Sequence, residues 1–313
     1  MNKSKKRSLL VLFALCALAA RAQFDVHFTH YEALRSYYNP AVVGASERTN
    51  VLATYSMQMA GYTHAPATML VMADMMMPGK EKKHALGVGI LSDQIGLYTN
   101  QRIFGSYSYR HALWGGQFSF GISGGVLEQK FDGSKLKLEE SSDPAFPSST
   151  AEGSGFDLTA GINFRAPSYY VGVSGMHLTM PVIELGELNE IKIDPSLIFN
   201  AGCNIQLKNP LLSVQPSLQL MTDLQAWRAD IGARGVYTYD AKRWYVGAAY
   251  SPLTSVTLML GGEVNSLSFG YAYELFTSGV GALHGSHDVF VGYVTDLDLF
   301  KKGKNKHKSI RVL

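Results

Sequence analysis

Residues 255–276 read SVTLMLGGEVNSLSFGYAYELF, and residues 286–295 read SHDVFVGYVT. Together they predict three short strands in succession. Val256, Leu258 and Leu260 alternate with Thr257, Met259 and Gly261. Beyond Asn265-Ser266, Leu267, Phe269, Tyr271, Tyr273 and Leu275 alternate with Ser268, Gly270, Ala272 and Glu274. A period of two sends one set to each face of a sheet. One face is aliphatic and aromatic. The other is glycine, serine, threonine and an occasional acid. A soluble sandwich turns its polar face to water and usually charges it. A membrane barrel does the reverse, with apolar residues on lipid and small polar residues in the lumen.

The start of the chain reads as a secretory leader. Lys3, Lys5, Lys6 and Arg7 precede an apolar run from Leu9 to Ala20, and Ala20-Arg21-Ala22 offers small residues for cleavage before Gln23. That run is too short to anchor as a spanning helix. The full sequence carries 28 Lys+Arg and 25 Asp+Glu. The basic excess sits at the two ends: in the leader, and in Lys301, Lys302, Lys304, Lys306, Lys308 and Arg311. The body between them is slightly acidic, which argues against a nucleic-acid-binding surface. With Cys16 removed in the leader, Cys203 is the one remaining thiol, so no intrachain disulfide is expected. No CxxC or HExxH occurs, so no zinc site and no cofactor is expected.

Beyond residue 22 no apolar run is long enough for a transmembrane helix. Yet hydrophobic residues make up 46% of the sequence and charged residues 17%. An exported chain with this balance and many alternating segments predicts an all-β protein, a transmembrane antiparallel β-barrel of the outer membrane. About fourteen strands are expected, at 51–60, 66–75, 84–94, 101–112, 117–129, 155–165, 168–177, 196–207, 211–222, 227–238, 243–250, 255–263, 266–276 and 286–295. The expected division is a leader at 1–22, a pre-barrel segment at 23–50, the barrel at 51–295 and a basic periplasmic tail at 296–313. The segment 23–50 does not alternate; Tyr31 to Tyr38 reads as a short helix or turn halted by Asn39-Pro40, and the segment is expected in the lumen or at the periplasmic mouth.

The connections test this scheme. In a bacterial barrel the periplasmic turns are short and the extracellular loops long. The turns at Leu113-Trp114-Gly115-Gly116, Ala166-Pro167, Lys208-Asn209-Pro210, Tyr239-Asp240-Ala241-Lys242 and Val264-Asn265 are short and share one parity; Met76 to Lys83, on the same side, is the longer exception, though Pro78-Gly79-Lys80-Glu81 still reads as a turn. The long connections 130–154, 178–195 and 277–285 fall on the other.

Several stretches, in order along the chain, resemble the PorP/SprF family of type IX secretion system outer-membrane proteins. They are Tyr38-Asn39-Pro40-Ala41-Val42-Val43-Gly44, Tyr55-Ser56-Met57-Gln58-Met59 with Ala65-Pro66-Ala67-Thr68, His84 to Ile90 with Asp93-Gln94-Ile95-Gly96 and Tyr107-Ser108-Tyr109-Arg110, and Gly285-Ser286-His287-Asp288. Met59 departs from the tryptophan usual in the family, and Asp296 to Leu313 extends past its usual end. The resemblance implies a secretion-machine component that supports export or anchoring of cargo bearing C-terminal signal domains. It implies partners in the periplasmic PorK/PorN ring and a PorE-like peptidoglycan-binding protein. Asn39, Pro40 and Gly44 become candidates for docking and for guiding the chain into the barrel, and Gly285, Ser286, His287 and Asp288 a last-strand motif. A pore or hydrophobic small-molecule transporter is the alternative.

No catalytic set emerges. Ser286, His287 and Asp288 are consecutive strand residues and point alternately, so they cannot converge as a triad. Glu139, Glu140 and Asp143 lack calcium-loop spacing. Gly121, Gly124 and Gly125 lie within a strand pattern and suggest a bend or close packing. Met75-Met76-Met77 reads as packing beside a turn, and Trp114, Trp227 and Trp244 as aromatic girdles. In the segment around Phe156, the residues Phe156, Leu158 and Ile162 are expected on lipid. Asp157 and Thr159 are expected in the lumen and more tolerant of change.

Overall fold

The computed structural model describes residues 25–78, 82–133, 150–186, 189–278 and 285–296. The leader, the acids Glu139, Glu140 and Asp143, the turn residues Gly79, Lys80 and Glu81, and the tail 301–313 lie outside the described residues. The strands in chain order are β1 (Thr49–Met57), β2 (Ala67–Met76), β3 (His84–Ile95), β4 (Tyr98–Leu113), β5 (Gly116–Asp132), β6 (Thr150–Arg165), β7 (Tyr169–Met176), β8 (Val182–Leu185), β9 (Asn189–Lys192), β10 (Ser196–Cys203), β11 (Ile205–Gln206), β12 (Leu212–Thr222), β13 (Trp227–Tyr239), β14 (Lys242–Ser251), β15 (Ser255–Val264), β16 (Leu267–Phe276) and β17 (Ser286–Thr295). Each barrel strand pairs antiparallel with its neighbour in the chain order. β1 joins β17, with Thr49 opposite Thr295, and β10 joins β12, with Leu197 opposite Thr222. The result is a closed ring of fourteen strands, with β11 an extra two-residue strand along β12.

Closure leaves no unpaired edge, which hydrocarbon would not tolerate. Outward positions are apolar: Val246 is 68% exposed, Leu258 62% and Phe156 59%. Inward positions on the same strands are buried, as at Thr257, Met259 and Asp157. Trp114, Trp227 and Trp244 are exposed at strand ends, the place of aromatic girdles.

Two local details depart from the sequence expectation. The span 196–207 is not one strand: Asn204 interrupts it, and its N–H turns to the Ser168 carbonyl at 2.7 Å. The connection 178–195 contains the hairpin β8–β9, each strand too short to register as a membrane span. Ile183, Leu185 and Ile193 there pack on Leu127, Phe131 and Ala151, so apolar burial holds the hairpin over the long-loop end of β5 and β6. Below it, β7 pairs with only the Ala160–Arg165 part of β6. Above that point the connection supplies two partners to β6: Leu178 N–H donates to the Leu158 carbonyl at 2.9 Å and Thr179 hydroxyl to the Phe156 carbonyl at 2.8 Å.

Candidate functional site: the lumen plug and the barrel mouth

Residues 25–44 run inside the ring, and residues 45–48 lead out to β1. Asp25, His27 and Thr29 alternate with Val26 and Phe28. One helical turn, α1 (Arg35–Tyr38), and a 3-10 turn at Pro40–Val42 follow. Phe28, Tyr31, Leu34, Tyr37 and Tyr38 form an apolar core with Leu52, Leu70, Met72, Phe104, Ile198 and Phe290 from the wall. One part of the lumen is therefore filled by an apolar core shared between plug and wall. Burial raises the phenols of Tyr31, Tyr37 and Tyr38 well above their usual range, so they stay neutral. Burial also lowers His30, whose neutral ring stacks edge-on against Phe290 at 4.9 Å.

Polar contacts then fix this plug to acids on the inner wall. Asp288 accepts from the Thr29 backbone N–H at 2.7 Å and from the Thr29 hydroxyl. Asp230 meets His27 Nε2 at 3.2 Å and the Ser251 hydroxyl, and Arg228 bridges it to Glu274. The Tyr31 hydroxyl lies 2.8 Å from Ser217 Oγ, which donates to Glu32 Oε1 at 2.8 Å. His177 stands between two carboxylates, Asp25 at 2.7 Å and Asp157 at 3.0 Å. Arg102 Nη2 forms an ion pair with Asp157 Oδ2 at 2.7 Å and donates to Thr159 Oγ1 at 2.9 Å. Burial alone would lower the His177 imidazole; the two carboxylates overcome it and push it up to about 9.

Asp157 faces the lumen as expected, but tolerance to change does not fit its surroundings. It is fully buried between Arg102 and His177, so its loss strands the buried Arg102 guanidinium and leaves His177 with Asp25 alone.

Asn39, Pro40 and Gly44 lie where the plug turns towards β1. Asn39 Oδ1 accepts from Ala41 N–H at 2.9 Å, and Pro40 opens the 3-10 turn, where a missing N–H costs nothing. Asn39 Nδ2 donates to the carbonyls of Ile162 at 2.9 Å and Val173 at 3.3 Å, tying the turn to β6 and β7. The wall makes room: a Cβ at Gly121 would collide with Pro40 and Ala41. Gly44 has φ +72°, the left-handed region, and a Cβ there would collide with that of Ala85. Its N–H donates to Asp74 Oδ2 at 2.7 Å. Arg110 and Arg165 donate to the Val43 and Ala45 carbonyls at 2.8 and 2.9 Å.

The last-strand motif divides between faces. Ser286 and Asp288 are buried inward, and Ser286 Oγ accepts from Met59 N–H at 3.2 Å. His287 points the other way and meets the Tyr271 hydroxyl at 2.8 Å. A Cβ at Gly285 would collide with the Tyr273 ring. Asp288 thus meets the plug and His287 does not. Sequence reasoning missed Asp25, His27, Thr29, Arg102, His177, Arg228 and Asp230. Two signals could have found them: single acids on otherwise small lumen faces, and the alternating Asp25-x-His27-x-Thr29 stretch.

A protein-family profile described as type IX secretion system membrane protein PorP/SprF matches residues 20–293. No curated protein sequence matches. Among solved structures, the Ralstonia pickettii toluene transporter TbuX superposes with a TM-score of 0.51 at 13% identity, covering 83% of this chain and 92% of that one. A Pseudomonas aeruginosa FadL homologue gives a TM-score of 0.47 at 10% identity, over 82% of this chain and 93% of that one. At such identities TbuX establishes the barrel fold alone. The family match covers most of the chain, and the chain belongs to the PorP/SprF family of type IX secretion system membrane proteins.

Proposed function

We propose that this outer-membrane barrel is a docking subunit of the type IX secretion machine. It presents its short-turn, periplasmic end to periplasmic subunits, among which family resemblance points to the PorK/PorN ring and a PorE-like protein. In that role it supports export or anchoring of cargo with C-terminal signal domains. One observation carries the reading: the plug is tied to the wall from Asp25 to Ala45, and its last tie points lie at the short-turn end. A surface already fixed loses little conformational entropy on binding. Membership of this family is also membership of a membrane-barrel family rather than of an enzyme family. The test is co-purification from native membranes, together with cargo export in a strain lacking the protein. Recovery of periplasmic subunits and failed export are expected. Normal export with loss of uptake of an apolar solute would instead favour a transporter.

A further inference from the structure

We infer that the short-turn mouth holds a binding vestibule for a carboxylate-rich peptide segment of a periplasmic protein. This rests on the docking reading and assigns the chemistry of one contact. Between the plug and the wall lies a cavity of about 510 Å³, within the range of ligand sites. Its floor is Glu32 and Arg35 of the plug. Arg234 lies beside Glu32 at that floor, and the rim is the β6–β7 turn at Arg165 to Ser168 together with the exposed Arg243. Four arginines therefore line it against one glutamate.

These guanidiniums are only partly satisfied. Arg35 lies over the Tyr170 ring at 3.4 Å and reaches Asn163 Oδ1 at 3.3 Å, while its Nε is buried without a hydrogen bond. Arg234 donates to Gln215 Oε1 at 3.2 Å. Its Nε is 3.8 Å from Glu32 Oε1, within ion-pair reach but too far for a hydrogen bond, and Glu32 Oε2 has no hydrogen-bond partner among the described residues. Arg165 spends one donor on the Ala45 carbonyl, and Arg243 pairs loosely with Glu263 at 3.5 Å at the surface. Each guanidinium has five N–H donors in a planar fork suited to a carboxylate. Like charges gathered in a partly dry cleft repel one another and raise the local potential for an anion.

The chemistry of the occupant follows from the cavity. The sequence after Phe300 is basic, so the chain's own end is repelled by this charge. The space exceeds one oxyanion, and Pro167, Tyr169 and Pro216 add apolar surface beside the arginines, as a peptide backbone with acidic side chains requires.

The experiment uses the full chain in detergent and fluorescent oligoglutamate, with oligoglutamine as control, followed by anisotropy. Two variants are compared, R35Q/R234Q for the floor and R165Q/R243Q for the rim. Heat-modifiable gel mobility reports that each barrel is closed, and the exposed rim pair remains informative if the floor pair fails to fold. Oligoglutamate is expected to bind at least about tenfold tighter than oligoglutamine, and the rim variant to lose about tenfold in affinity. Equal binding of the two peptides, or unchanged binding by the folded rim variant, overturns the inference. So does displacement of oligoglutamate by equimolar inorganic phosphate, which identifies a small-anion site. Pull-down of periplasmic subunits with the same variants separates the two readings. Lost peptide binding with unchanged subunit recovery sinks the vestibule and leaves docking intact. Intact peptide binding with no subunit recovered by the native protein sinks docking instead.

Discussion

Phe156, Asp157 and Thr159 are near neighbours on β6 with three different roles, and their substitutions separate those roles. Phe156 faces lipid, so F156R should destabilise, by less than the about 2–4 kcal/mol of a midplane site because Phe156 lies nine residues from the short-turn end of β6. Asp157 compensates Arg102 and His177, so D157N should cost on the order of 3–5 kcal/mol, as when one partner leaves a buried ion pair. T159A removes one acceptor of the charged Arg102 guanidinium and should cost about 1.5–3 kcal/mol. Urea unfolding from lipid vesicles gives the order, and D157N ranking below T159A would refute it. His177 adds a pH dependence. Its folded pKa, about 9, lies above the unfolded value near 6.5, so its stabilisation is complete below the unfolded value and is lost as pH rises through about 9. Hydrogen-exchange protection in residues 25–31, taken relative to the intrinsic base-catalysed rate at each pH, should therefore fall between pH 7 and pH 10, and H177Q should flatten that response. The face of Asp157 was legible from alternation alone. Its energetic role was not, because Arg102, His177 and Asp25 come from distant parts of the chain.

At the scale of elements, the strands were legible because their signal is local. A period-two stretch such as Leu267 to Leu275 declares both faces without reference to any neighbour. The hairpin β8–β9 and the break at Asn204 were hidden for the complementary reason. Four-residue strands are too short for the pattern, and a single interruption does not disturb an apolar average. The plug was legible only as a non-alternating segment. What fixes it is long-range: Thr29 to Asp288, His27 to Asp230, Asn39 to β6. The fit at Gly121 makes the plug testable as an element. G121L drives a branched side chain into Pro40 and Ala41, and overpacking of this kind costs about 1–3 kcal/mol. The ring itself keeps its pairing with β4 and β6. In planar bilayers G121L should show conductance steps well above those of the native protein while remaining heat-modifiable. Equal conductance of the two proteins would mean that the turn at Pro40 does not control the lumen.

At the scale of the whole molecule, a closed ring and a pinned plug behave as two stabilities in one chain. The ring is held by a continuous hydrogen-bond ladder in a medium without water, so its local opening is costly. The plug is held by side-chain ties and one apolar core, so it opens at lower free energy. Changes where the plug enters β1 should therefore alter docking before they unfold the barrel. The variant that isolates this is P40S/G44V. Serine frees the backbone that proline fixes, and valine at φ +72° meets both left-handed strain and the Ala85 Cβ. Together they should release the contacts of Gly44 with Asp74 and of Ala45 with Arg165. The expected outcome is an outer-membrane barrel with normal heat-modifiable migration, recovery of periplasmic subunits reduced about tenfold or more, and cargo retained in the cell. That ordering, docking lost with the ring intact, is what a scaffold with a fixed mouth requires. Normal subunit recovery and normal export by P40S/G44V would reduce the turn to a leader for the first strand. Loss of the closed barrel itself would show that plug and ring fold as one cooperative unit, against the separation argued from their contacts.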